Sequence, residues 1–191
     1  MGQAWRDSSI LLGERWHPLP AGAVDFMATS SLVSVDQYLT TSYRPDCDYV
    51  DGVLLERNAG EFDHGRLQTA IAAFYYNHRK QWGVHASTEQ RVQVAPARFR
   101  IPDVCVSAEA EPEQIFRTPP LICIEILSKD DRLSEMGERV EDYLNFGVPY
   151  VWILDPHTRT AWRCTRDGMR KTEELRTENP NTAVPLADLF D

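Results

Sequence analysis

The chain has 191 residues, of which 42% are apolar and 26% charged, enough for one sizeable core but crowded for two. Its formal net charge of −9 argues against a broadly basic nucleic-acid coat, yet leaves room for an enzyme whose carboxylates gather metal ions. No segment approaches the roughly 18 consecutive apolar residues of a membrane helix. The N-terminus, MGQAWRDSSILLGERWHPLP, lacks a basic start followed by an apolar stretch, so the expected location is cytoplasmic.

Residues 1–33, with Gly13, Pro18, Pro20 and Gly22, read as a loosely structured arm, and residues 34–191 as a single domain. SVDQYLTTSY (34–43) has the pattern of a short helix capped by Ser34. DYVDGVLLERN (48–58) reads as a hairpin turning at Asp51-Gly52. In EFDHGRLQTAIAAFYYNHRKQW (61–82), Leu67, Ala70, Ile71, Phe74 and His78 recur at helical steps. Acids at its start and Arg79-Lys80 near its end suit the helix dipole, and Gly83 stops it. QRVQVA (90–95), FRIPDVCV (99–106) and LICIEILS (121–128) read as strands. Helical spacing returns in SEMGERVEDYLNFG (134–147), through Met136, Val140, Tyr143 and Leu144. PYVWILDP and TAWRC (149–156 and 160–164) form a second hairpin-like pair, and the tail is polar until the docking segment VPLADLF. This order predicts an α/β or α+β domain with a mixed central sheet flanked by helices.

Cys47, Cys105, Cys123 and Cys164 are widely spaced and form no CxxC pair, so buried reduced thiols are expected. His64 and His78 fall on the inner side of the long helix, and Trp152 and Tyr150 read as core aromatics.

Two acids stand out because they interrupt apolar strands. Alternation puts Ile101, Asp103 and Cys105 on one face of the first strand, and Cys123, Glu125 and Leu127 on one face of the next. A buried carboxylate needs compensation for lost hydration, and two side by side repel each other. A divalent cation between them would remove both penalties, and magnesium favours one or two carboxylates with retained water. The competing explanation is that each acid pairs with an arginine or sits in solvent at a strand end.

Pro102-Asp103 followed by Glu125-Ile126-Leu127 resembles the PD-(D/E)XK superfamily of restriction-endonuclease-like nucleases. The likeness is closer to its Uma-type restriction-endonuclease branch, and it covers roughly residues 34–190. It rests on the Asp48-to-Gly52 hairpin, His64 near a helix start, Pro102-Asp103-Val104, and Ile124 to Ser128. It continues through Arg139 one turn before Tyr143, then Gly147-Val148 through Trp152 to Asp155-Pro156. The resemblance implies a restriction-endonuclease-like fold, a Mg²⁺ or Mn²⁺ ion held by Asp103, Glu125 and the Ile126 backbone carbonyl, and Arg139 as the basic group. Asp48 stands where the branch usually has glutamate and is a further candidate carboxylate, with His64 and Lys129 as additional candidates. The chain departs from the superfamily at Leu127, where lysine is frequent.

The implied activity is metal-dependent endonuclease cleavage of double-stranded DNA by a homodimer. Two rivals stay open: a degenerate nuclease fold serving as a regulatory or interaction subunit, and a carboxylate-pair hydrolase such as a glycosidase.

Overall fold

Tyr49, buried at the centre of an aromatic cluster, donates its hydroxyl to the Val33 carbonyl at 2.8 Å. This contact ties Val33 to β1 in the computed structural model, which describes residues 32–57, 61–108, 112–129, 131 and 133–190. Of the expected arm, all but Leu32 and Val33 lie outside the described residues. Ser34 caps α1 (Val35–Thr40) by accepting from the Gln37 amide at 3.1 Å. β1 (Cys47–Val50) and β2 (Val53–Glu56) pair antiparallel around Asp51-Gly52. Both turn residues have positive φ, 50° and 95°, the geometry of a tight primed turn, which explains the Asp-Gly choice. α2 (Phe62–Trp82) stops at Gly83, whose φ of 65° is left-handed.

The central sheet has six strands in the order β10-β9-β8-β7-β6-β3. These are β3 (His85–Thr88), β6 (Val104–Ser107), β7 (Ile122–Ile126), β8 (Tyr150–Asp155), β9 (Thr160–Thr165) and β10 (Gly168–Thr172). β7 and β8 run parallel and all other neighbours antiparallel, so the expected mixed sheet is present. Parallel strands need a crossover, supplied by α3 (Leu133–Phe146). Ile122, Ile124 and Ile126 pack with Leu67, Ile71 and Tyr75 of α2. On the other face, Cys105, Cys123, Val151 and Ile153 pack with Met136, Val140 and Tyr143 of α3. Cover on both faces explains why β7 and β8 read as nearly unbroken apolar runs.

FRIPDVCV is not one strand. β5 (Arg98–Arg100) ends before Pro102 and belongs to a second, four-stranded sheet, β2-β1-β5-β4, with β4 at Val92–Ala95. β6 then begins at Val104 in the central sheet. Pro102 has no N–H to give a ladder, so the chain changes sheets there. Asp103 thus lies at the seam between the two sheets. The tail is also more regular than its polarity indicates. β10 extends the central sheet, and β11 (Glu174–Thr177) pairs with β12 (Thr182–Pro185). VPLADLF docks as expected, with Leu186, Leu189 and Phe190 buried in the α2-side core. All four cysteines are buried and free, and no helix among the described residues is long and apolar enough to cross a membrane.

Candidate active site

The register Val104↔Ile124 sets Asp103 against Glu125, one step beyond the last paired residues. The Ile126 amide donates to Asp103 Oδ2 at 2.7 Å, locking the carboxylate to β7. Both carboxylates are buried, at 3% and 0% exposure, with Asp103 held by Arg57, His64 and the Ile126 amide and Glu125 by the α3 side chains. Asp48 of β1 joins them, fully buried, its Oδ1 accepting from the Ile101 amide at 3.0 Å.

α3 brings two side chains one turn apart to the same acid. Tyr143 donates its hydroxyl to Glu125 Oε1 at 2.6 Å. Arg139 Nη1 stands 3.5 Å from Glu125 Oε2, and its Nε 3.2 Å from Asp48 Oδ2. This geometry gives a physical reason for a basic residue one turn before a tyrosine on this helix. Arg57, just after β2, donates to Asp103 Oδ1 and to the Ile101 carbonyl, with Nη1 3.8 Å from Asp48 Oδ1. Arg100 bridges Asp48 Oδ2 at 3.1 Å and Asp142 Oδ2 at 2.7 Å. His64, near the N-terminus of α2, places Nε2 3.3 Å from Asp103 Oδ2, while Gln68 donates to the Asp103 carbonyl at 2.9 Å.

Of the residues singled out by sequence, Asp48, His64, Asp103, Glu125 and Arg139 converge, and Ile126 enters through its amide. Lys129 does not join them. It is 63% exposed and pairs with Glu61 at the surface. Leu127, where lysine is frequent in the superfamily, packs against the α3-side core. Arg57 and Arg100 escaped the sequence reading. The available signal was positional: Arg57 follows β2 and Arg100 ends β5, the two neighbours of the strand carrying Asp48, and a buried acid demands a cation nearby.

Burial pushes Glu125 from 4.5 up to about 7, with Asp103 adding to the rise while Arg139, Arg57 and the Tyr143 hydrogen bond oppose it. Burial would raise Asp103 as well, but the His64 hydrogen bond, the Arg57 and His64 charges and the Ile126 amide outweigh it and hold Asp103 below its ordinary value. His64 moves the opposite way: burial disfavours its charge, yet the bond to Asp103 raises its pKa above the usual imidazole range. Tyr143 is driven far up by burial and by Glu125, so it remains a donor.

The donors suit a hard divalent cation in kind, since all are oxygens. Glu125 Oε2 is buried with no hydrogen-bond partner, an oxygen whose desolvation a cation would compensate. Among the described residues no three or more His, Cys, Asp or Glu side chains form a ready cage. The fit is to an ion held by the two carboxylates Asp103 and Glu125 that keeps much of its water, as magnesium does.

The model of the Uma2 family, described as "Putative restriction endonuclease", matches residues 35–191. The chain belongs to the Uma2 family. Its fold is similar to the crystal structure of a protein from Anabaena variabilis ATCC 29413, described as "a putative nuclease belonging to DUF820". That likeness has a TM-score of 0.70 at 20% identity, covering 83% of this chain and 97% of the other. No curated protein matches. Uma2 membership supports a nuclease function and a nucleic-acid substrate.

Proposed function

We propose that this Uma2 protein is a Mg²⁺- or Mn²⁺-dependent endonuclease that hydrolyses phosphodiester bonds of double-stranded DNA. The observation carrying the reading is the burial of Asp103 and Glu125 next to one another at the adjoining ends of β6 and β7, with Glu125 Oε2 lacking a hydrogen-bond partner. Asp103, Glu125 and the Ile126 carbonyl would hold the ion. When bound, it supplies polarisation of the phosphate and acidification of a water.

The chain's own groups do the rest. Tyr143 fixes one Glu125 oxygen and leaves the other for the ion. Arg139, with a side chain 12% exposed and a guanidinium against Asp48 and Glu125, would stabilise negative charge on phosphate oxygens. Being always protonated, it cannot take a proton from the attacking water. His64, held beside Asp103, supplies a titratable group at the same end. A two-fold homodimer would present two such sites to the two DNA strands.

The second reading is a non-catalytic nuclease fold acting as a regulatory or interaction subunit. It is favoured by the guanidinium partners on Asp103 and Glu125 and by Leu127 in the usual lysine position. Incubating the full chain with supercoiled plasmid and Mn²⁺ separates the two. Nicking and linearisation by the wild type, absent in Asp103→Ala and Glu125→Ala, are expected. Equal cutting by all three proteins, or none by any, overturns the nuclease reading.

A further inference from the structure

We propose that Arg57 is a resident counter-ion seated against Asp103 in the place of the metal, so that the metal and this guanidinium compete for the same carboxylate. The inference rests on the reading of Asp103 and Glu125 as the cation site. It starts from the number of oxygens left free. Asp103 Oδ2 faces the Ile126 amide at 2.7 Å and His64 at 3.3 Å, while Oδ1 is engaged by Arg57. Both Asp48 oxygens are engaged too, by the Ile101 amide, Arg100 and Arg139. A cation drawing on Asp103 therefore meets Arg57 first.

The other arginines are placed differently. Arg100, 2% exposed, is clamped between Asp48 and Asp142, neither of them needed for the two-carboxylate site. Arg139 leans on Asp48 and comes no nearer than 3.5 Å to Glu125, without a hydrogen bond to the free Oε2. Arg57 alone among these three couples a hydrogen bond to a proposed metal ligand with a side chain 13% exposed, attached beyond the end of an edge strand. Two positive centres within a few ångströms of one carboxylate repel, so each weakens the other's hold. The guanidinium keeps Asp103 compensated while the ion is absent. Once displaced, it becomes available at the margin of the site to contact phosphate.

The test is calorimetric titration of MnCl₂ into the full chain, with no nucleic acid present. Arg57→Gln, which removes the charge but keeps a polar amide, is expected to bind Mn²⁺ roughly ten- to hundredfold tighter than wild type, the usual size of such a coupling. Its unfolding temperature should also rise more with added Mn²⁺. Arg57→Lys keeps the charge and guards against a folding defect. It loses the forked contact and should fall between the two. Asp103→Ala should abolish binding. Wild-type affinity in both Arg57 variants, with binding still lost in Asp103→Ala, overturns the inference and leaves the cation site standing. Absence of binding in every folded variant, wild type included, removes the cation reading and this inference with it.

Discussion

The two faces of β7 show how one strand serves two ends. Toward α2 it presents Ile122, Ile124 and Ile126, all buried among Leu67, Ile71 and Tyr75. Toward α3 it presents Cys123 and then Glu125, and the apolar packing of Met136 and Val140 gives way to Tyr143 and Arg139. The first face gains free energy by removing hydrocarbon from water. On the second, buried charge must be offset by other buried charge, an arrangement that hydrophobic replacement often equals or betters in stability. Such a cluster is weak evidence of a stabilising role.

This contrast is sharpest in adjacent residues. Ile124→Ala should cost about 2–5 kcal/mol, the usual result of a cavity in a packed core, and leave cleavage by the remaining folded molecules unchanged. Glu125→Gln should cost little in stability at neutral pH while cleavage falls to background. Urea unfolding and the plasmid assay on the same preparations check both, and loss of specific cleavage in Ile124→Ala would break the division between faces.

Next in size is the response to pH. Between the ordinary glutamate value of 4.5 and about 7, the folded protein holds a proton on Glu125 that the unfolded chain has released. Stability therefore falls as pH rises through this window, by up to about 3 kcal/mol. His64 acts in the same direction, its raised pKa contributing stability that is lost as pH climbs past it. Asp103 acts oppositely, at the acid end, because its lowered pKa stabilises the fold only above its ordinary range. Unfolding temperatures measured from about pH 5 to 8 should decline, with Glu125→Gln flattening most of the slope. A smaller effect is expected from Tyr143→Phe, about 1–2 kcal/mol for one buried hydrogen bond to a carboxyl group. Since that bond favours ionised Glu125, its loss should also move the pH-dependent decline to higher pH.

Most of the frame could be read from local patterns. Asp51-Gly52 encodes its turn in two residues, Gly83 ends α2 by its left-handed φ, and the apolar runs of β7 and β8 announce strands covered on both sides. What escaped was set by distant partners. Nothing near Pro102 in the sequence distinguishes a strand with a kink from a chain leaving one sheet for another, because both sides mix apolar residues with one charge, Arg100 before it and Asp103 after. β10, β11 and β12 are polar and gain their place from pairing, as in the Thr177–Thr182 hydroxyl contact at 2.9 Å. In the site, Asp103 and Glu125 were visible as charges interrupting apolar strands. Arg57 and Arg100 carried no such mark, and it is the fold that brings Arg57 to Asp103 and Arg100 to Asp48 and to Asp142 of α3.

The parallel pairing of β7 with β8 carries a consequence for tolerance to insertion. The connection that returns the chain to the sheet is also the element that holds Arg139 and Tyr143 over Glu125, and it closes through Gly147, at φ 103°, and Val148, whose amide bonds the Tyr143 carbonyl at 3.0 Å. A residue added at this joint would turn or slide the helix and carry both side chains off their acid, whereas one added at the turn between β11 and β12 would lengthen a hairpin outside the central sheet. Variation in chain length within such proteins should therefore gather at the outer hairpins and avoid the crossover.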